Sequence, residues 1–320
     1  MAIELARKHM QPKPWGVAGL EPWCNGPRTE QPIGEICYGR SSGAPDPSLL
    51  LKLLFASQPL SIQVHPDDAY AQSMGLPNGK TEAWYVLSAN AGAKVALGLH
   101  QSMSRRQLRQ AVTDGSISAQ IVWQPVSAGD TLFVPAGTIH AIGAGVIIAE
   151  IQQSSDATFR LFDHGRAREL HIDDGVAVAK AGPAKFQVPA KRLTDERTLL
   201  TSCSNFVFER IMLEPDTTWR LQAERETWLL PIGGDADASS FDISIGDVIF
   251  AEADQLEIRT GEIGMVALAA YTGPNLIPNL LRRPLAVSRT NGTRRPEWQP
   301  PAAFATPPGA RTNNETGTTK

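Results

Sequence analysis

Four side chains in this sequence have the types and placement to hold a divalent cation between them. In Ser61-Ile62-Gln63-Val64-His65, two-residue alternation puts Gln63 and His65 on one face of a strand. Ile62 and Val64 then turn the other way, into an apolar layer. Glu82 opens the next strand signal, and His140 follows Val134-Pro135-Ala136-Gly137-Thr138-Ile139. An amide oxygen, a carboxylate and two imidazole nitrogens form a mixed oxygen and nitrogen donor set for a divalent metal, one that would accept manganese or cobalt. Singly, each residue has a structural alternative: a buried histidine commonly just satisfies a hydrogen bond, Glu82 could be a surface charge, and an amide oxygen is a weak zinc donor. Their shared context argues for a metal.

The elements that must position these groups are short strands. Leu60–His65, Glu82–Leu87, Lys94–Leu99, Thr131–Val134, Val146–Gln152 and Phe159–Asp163 are separated by Gly, Pro, Asn and Asp, the pattern of a sandwich or barrel. One helix is predicted after the capping box Ser104-Arg105-Arg106-Gln107, with Leu108, Ala111 and Val112 at helical spacing before Gly115. A second short helix is predicted from Pro66, with Asp67 and Asp68 complementing its dipole. The pattern weakens between 167 and 200, where Gly182-Pro183 and Pro189 interrupt it, and a linker with some helix is expected there. Strand signals return at Phe206–Leu213, Thr227–Ile232, Asp247–Ala251, Leu256–Arg259 and Met265–Ala270, so the region 201–290 reads as a second all-β domain. The segment 291–320 has five Pro, three Gly and no Leu, Ile, Val or Met, and is expected to be a disordered tail.

Composition excludes several classes. The chain of 320 residues is 42% hydrophobic and 20% charged, enough for a sizeable core and unlike a disordered or fibrous protein. Lys plus Arg number 30 against 33 Asp plus Glu, a net charge of -3, so nothing in the balance points to nucleic acid or an anionic membrane. No apolar run approaches the ~18 residues of a membrane span, and the opening MAIELARKHMQPKPWG lacks a signal-peptide core. Cys24, Cys37 and Cys203 form no C-x-x-C pair and suit a reducing compartment. The expectation is a soluble, cytoplasmic protein.

Specific motifs add a resemblance. The run from Gly129 to His140, GDTLFVPAGTIH, is similar to the second metal-binding motif of cupins, with Ala144 where that motif ends in asparagine. Pro-x-Gly turns the chain sharply and delivers the histidine to a barrel mouth. The segments LSIQVHPD from Leu60, GKTEAWY from Gly79 and EIQQSSDATFR from Glu150 resemble type I mannose-6-phosphate isomerases of the short bacterial form, in which Gln-x-His replaces the His-x-His of most cupins. The clear resemblance runs from about Lys13 to Arg166. It implies an all-β fold of two cupin (jelly-roll) barrels with a few short helices, the first, 1–166, being catalytic. It implies one zinc per chain on Gln63, His65, Glu82 and His140, and Arg160 as the catalytic arginine. Ser61, Lys52 and Lys80 match polar positions lining the family's substrate pocket. Arg166 stands where other members have lysine, keeping the cation and adding a planar fork suited to phosphate.

Interconverting mannose 6-phosphate and fructose 6-phosphate moves a proton between C1 and C2 through an enediol, which needs a base and nearby positive charge. Lys80 and Glu150 are the candidate bases. Lys80 follows the turn signal Asn78-Gly79 and could equally be exposed; Glu150 shares a face with Ile148 and Gln152 and could instead pair with Arg160. His9, His100, His164 and His171 have no partner spacing and read as non-catalytic. The second domain has no histidine after His171, so it cannot hold an imidazole-ligated metal and is expected to serve packing. The expected partner is a small sugar phosphate, with neither nucleic acid nor membrane. The competing readings are a sugar-phosphate-binding cupin that keeps its metal without turnover and, less well matched, an iron-dependent cupin dioxygenase.

Overall fold

A computed structural model describes residues 2–25, 29–184 and 189–284. The expected tail at 291–320 lies outside the described residues. The described chain is mostly β, in three sheets, with four short helices among the described residues.

The sheet that matters most for the site has six strands, in the order Arg7–Val17, Ile33–Gly39, Leu49–Ala56, Val146–Gln153, Glu82–Ala89 and Thr131–Val134. Its central strands are buried on both faces, and alternation sorts their side chains. Leu51, Leu53, Ala83, Tyr85, Ala149 and Ile151 face one way, into a core shared with Phe206, Phe208, Trp228 and Leu268 of the second half. Leu54, Trp84, Val86 and Ile148 face the other way, onto Val95, Leu97 and Ile142 of a five-stranded sheet. That second sheet runs Phe159–Phe162, Ile62–Val64, His140–Ile142, Lys94–Leu99, Ile121–Pro125.

The outer face of the five-stranded sheet is sealed by helices. Ile62, Val64, Ala141 and Leu161 pack with Leu108, Ala111, Val112 and Val176 in one apolar layer. The helix Arg105–Thr113 starts at the Ser104/Gln107 capping box, both hydrogen bonds of which are formed, and Asp67 caps the helix Asp68–Ser73. With Ile62 and Val64 committed outward, Gln63 must face the six-stranded sheet.

The second half builds a ten-stranded sheet. Its longest strand, Asp254–Thr272, is continuous through residues 260–262, where the sequence suggested a turn between two strands; the pairing with Thr227–Ala238 absorbs the irregularity as register shifts. Ala2–Leu5 also joins this sheet, paired with Ile249–Glu252, so the start of the chain is stitched to its second half. Residues 172–178 form a helix and 197–202 a strand within the segment expected as linker. No helix among the described residues is long and apolar enough to cross a membrane.

Candidate metal centre and cavity

Strand register gathers the site. His140 and Arg160 both lie directly opposite Gln63, one on each side, so the three side chains share the inner face of the five-stranded sheet. Across the gap, Glu150 lies opposite both Lys52 and Trp84, and Gln152 opposite Glu82, which places Lys52, Glu82, Glu150 and Gln152 on one face of the six-stranded sheet. His65 follows its strand by one residue, and Gly137 N donates to its carbonyl at 2.8 Å. Gly137 has φ of 86°, a conformation that favours glycine, and it forms the sharp turn before His140.

His65, Glu82 and His140 are buried, and their ligating atoms all lie within 4.8 Å of one another. The proton positions follow from the partners. His65 Nδ1 is 2.9 Å from the Ala157 carbonyl and His140 Nδ1 is 2.9 Å from the Thr138 carbonyl. A carbonyl can only accept, so each ring carries its proton on Nδ1 and presents a lone pair at Nε2. Burial keeps both rings neutral, pushing His65 down to about 3 and lowering His140 as well. Burial alone would raise Glu82, but Lys80 and His65 outweigh it and hold the carboxyl well below its usual range.

The result is an electrostatic oddity. His65 Nε2 and Glu82 Oε1 stand 3.1 Å apart, yet both are buried without a hydrogen-bond partner. The lone pair of His65 Nε2 and the carboxylate oxygen repel; the Lys80 ammonium, 3.1 Å from Glu82 Oε1, balances the carboxylate but leaves the imidazole nitrogen without a partner, and a metal ion held between the two would satisfy both. His140 Nε2, 3.8 Å from Glu82 Oε2, adds a third donor. Gln63 Nε2 is 3.3 Å from His140 Nε2, and the same side chain with its amide turned offers Oε1. The donor set therefore fits a divalent metal.

Above the cluster opens a cavity of about 350 Å³, lined among others by Lys13, Lys52, Ser61, Gln63, Lys80, Glu150, Arg160 and Arg168. Lys80 is buried rather than exposed in a turn. Gly79 passes so close to the backbone at Asp67 and Asp68 that a Cβ would lie 2.4 Å from Asp67 C, and Lys80 N donates to the Pro66 carbonyl at 2.9 Å. Its Nζ is 3.1 Å from Glu82 Oε1, and Glu82 with Glu150 overrides burial to raise its proton affinity. Glu150 accepts from the Trp84 indole at 2.9 Å; burial and the neighbouring Glu82 push it up to about 7. Ser61 Oγ donates to Gln63 Oε1 at 3.3 Å.

Arg160 NH1 donates to the Glu169 carbonyl at 2.7 Å, and its Nε is buried without a partner. Burial and the adjacent Arg168 lower its proton affinity. Arg166, expected in the substrate pocket, instead donates to Asp163 Oδ1 and, at 2.8 Å, to the Pro59 carbonyl, and Arg168 lines the cavity in its place. Sequence reasoning passed over Arg168, which also grips Asp163 and lies with its guanidinium carbon 5.0 Å from the Trp15 ring centroid. The two arginines are two residues apart, and the turn at His164 (φ 52°) and Gly165 (φ 81°) decides which one enters the cavity.

Fold and site together define a β protein of paired sheets with a buried His-Glu-His cluster that could hold a metal ion, next to a polar cavity. Comparison with known proteins gives this class a family context. The chain is 44% identical over 159 residues to a mannose-6-phosphate isomerase of Streptococcus mutans, a match covering 48% of this chain and 50% of that protein. It is 35% identical over 179 residues to mannose-6-phosphate isomerase ManA of Bacillus subtilis, covering 53% of this chain and 56% of that one. The chain thus spans about half the length of the curated relatives it matches. No family model matches. The solved mannose 6-phosphate isomerase of Bacillus subtilis superposes with a TM-score of 0.74 at 20% identity, covering 85% of this chain and 100% of that structure. A variant of phosphomannose isomerase from Salmonella typhimurium superposes with a TM-score of 0.68 at 14% identity, with the same coverage. The chain therefore resembles mannose-6-phosphate isomerases in sequence over about half of its length, and shares their fold over most of it.

Proposed function

We propose that the protein is an aldose–ketose isomerase interconverting mannose 6-phosphate and fructose 6-phosphate, with a zinc ion held by Gln63, His65, Glu82 and His140. The observation that supports the reading is the buried cluster in which His65 Nε2, without a hydrogen-bond partner, faces Glu82 Oε1 at 3.1 Å, next to Gln63 and Lys80, which line a cavity together with Arg160. Zinc, when bound, supplies a Lewis acid that polarises or orients the sugar oxygens.

The chain's own residues supply the rest. Glu150 is the base that carries the proton between C1 and C2: its carboxyl lines the cavity and the Trp84 indole orients it. Lys80, ion-paired with Glu82, stays charged and acts as a cation rather than a base. Arg160 stabilises the enediolate, and its charge survives at every working pH. Arg160 and Arg168 together leave one wall with two neighbouring guanidiniums, a surface that favours a dianionic phosphate. Residues 1–166, together with Arg168 just beyond them, carry this chemistry, and 201–290 act as support, joined through 167–200.

A coupled assay with mannose 6-phosphate tests the reading. The wild type is expected to turn over, and Arg160→Ala to lose on the order of a hundredfold or more in kcat while folding and metal content survive. Metal retained in a wild type that shows no turnover would instead identify a sugar-phosphate-binding protein, and full activity in Arg160→Ala would remove its role.

A further inference from the structure

We infer that Gln152 is a positioning residue for the metal centre: through the turn 155–157 it fixes the ring tautomer of His65. The inference rests on the reading of His65 as a metal ligand and adds a residue outside the proposed ligand set and outside the cavity lining.

Gln152 is fully buried near the end of the strand Val146–Gln153, directly opposite Glu82. Its Nε2 donates twice, to the Gln153 carbonyl at 3.0 Å and to the Ser155 carbonyl at 2.8 Å. Both acceptors are backbone carbonyls, which fixes the orientation of the amide without ambiguity. Its Oε1 is buried with no hydrogen-bond partner among the described residues. An apolar side chain would avoid that cost, so the amide's contribution lies in its two N–H groups.

Those donors hold the chain where it leaves the sheet. The same turn is tied internally by Ala157 N donating to Ser155 Oγ at 3.3 Å, and the Ala157 carbonyl then receives the His65 Nδ1 proton at 2.9 Å. Were that carbonyl to swing away, His65 would lose the bond that keeps its proton on Nδ1. A proton on Nε2 would face the Glu82 carboxylate, 3.1 Å distant, and make a charge-assisted hydrogen bond where the ion belongs. The Gln152 amide thus acts on the metal at a remove, by biasing which nitrogen of His65 carries its lone pair.

The test uses the full chain with zinc alone as ligand. Zinc affinity is measured by competition with a chromophoric chelator, and the His65 tautomer by ring-nitrogen NMR of metal-free protein. In the wild type His65 is expected as the Nδ1–H form. Gln152→Met, which keeps the length and loses both donors, should weaken zinc about tenfold and populate the Nε2–H form. Ser155→Ala, a milder change to the same turn, should move both readouts the same way by less, and decides the matter if Gln152→Met does not fold. Unchanged affinity and tautomer in whichever variant folds, or an Nε2–H ring in the wild type, would overturn the proposal. His65→Ala separates the two levels: zinc binding unaffected by that change defeats the ligand reading itself.

Discussion

The two halves of the molecule begin corresponding strands with the same short pattern and put it to different use. In Glu82-Ala83-Trp84 the indole donates back to Glu82 Oε2 at 3.2 Å, and in Glu226-Thr227-Trp228 it donates back to Glu226 Oε1 at 3.0 Å. Glu226 is also capped by the backbone N–H groups of Ser48 and Leu49, at 2.7 and 2.8 Å, and so ties the second half to the strand that carries Lys52. Glu82 receives no such caps. Its Oε1 lies instead 3.1 Å from both the Lys80 ammonium and the lone pair of His65 Nε2. Elsewhere in the second half buried charge is likewise satisfied: Arg197 binds Glu209 through two donors at 2.8 Å each, and Tyr271 donates to the same carboxylate. A buried carboxylate with all its partners is structure; one left facing another acceptor is a site awaiting a cation.

The strongest way to break this contrast is to remove the two glutamates in turn. Glu82→Ala should reduce turnover at least about a hundredfold, since even outer partners of a metal ligand are worth 10–100-fold; it also leaves the buried Lys80 ammonium without its carboxylate and so lowers the melting temperature, and steady-state kinetics on the folded enzyme with a thermal melt checks both. Glu226→Ala should spare the metal. It strands the buried Leu49 N–H, the part-buried Ser48 N–H and the Trp228 indole, costing about 3 kcal/mol of stability, readable by denaturant titration, while zinc binding per folded molecule stays at the wild-type value. Equal loss of metal in both variants would erase the distinction between the halves.

Much of the first half was legible because its signals are local. Alternation in Ile62-Gln63-Val64 set the facing of Gln63, the Pro-x-Gly turn placed His140, and the capping box started its helix where Ser104 stands. Other features were hidden for physical reasons. Leu49–Ala56 reads LLLKLLFA and is buried on both faces, so it shows no alternation from which a strand could be told from a buried helix, and Lys52 entered only through the family resemblance. The choice between Arg166 and Arg168 depends on a turn with two left-handed residues, and no spacing rule reports it. That Glu82 Oε1 faces an imidazole nitrogen is a property of three dimensions alone, since Glu226 sits in nearly the same sequence context.

A smaller effect sharpens the contrast from outside the site. Ser104→Ala removes the capping box of the helix Arg105–Thr113, which covers the outer face of the five-stranded sheet, and should cost about 1 kcal/mol. Because that face is apolar and turned away from the cluster, metal affinity and kcat should not change; a chemical melt and a zinc titration on the same sample would show it.

The most direct test of the central claim is the zinc content of purified protein after incubation with zinc and exhaustive dialysis, measured by elemental analysis for the wild type, His140→Ala and Glu226→Gln. The account predicts a single ion per chain in the wild type and in Glu226→Gln, and none in His140→Ala. Zinc at the wild-type level in His140→Ala, or a wild type that retains no zinc, would contradict it.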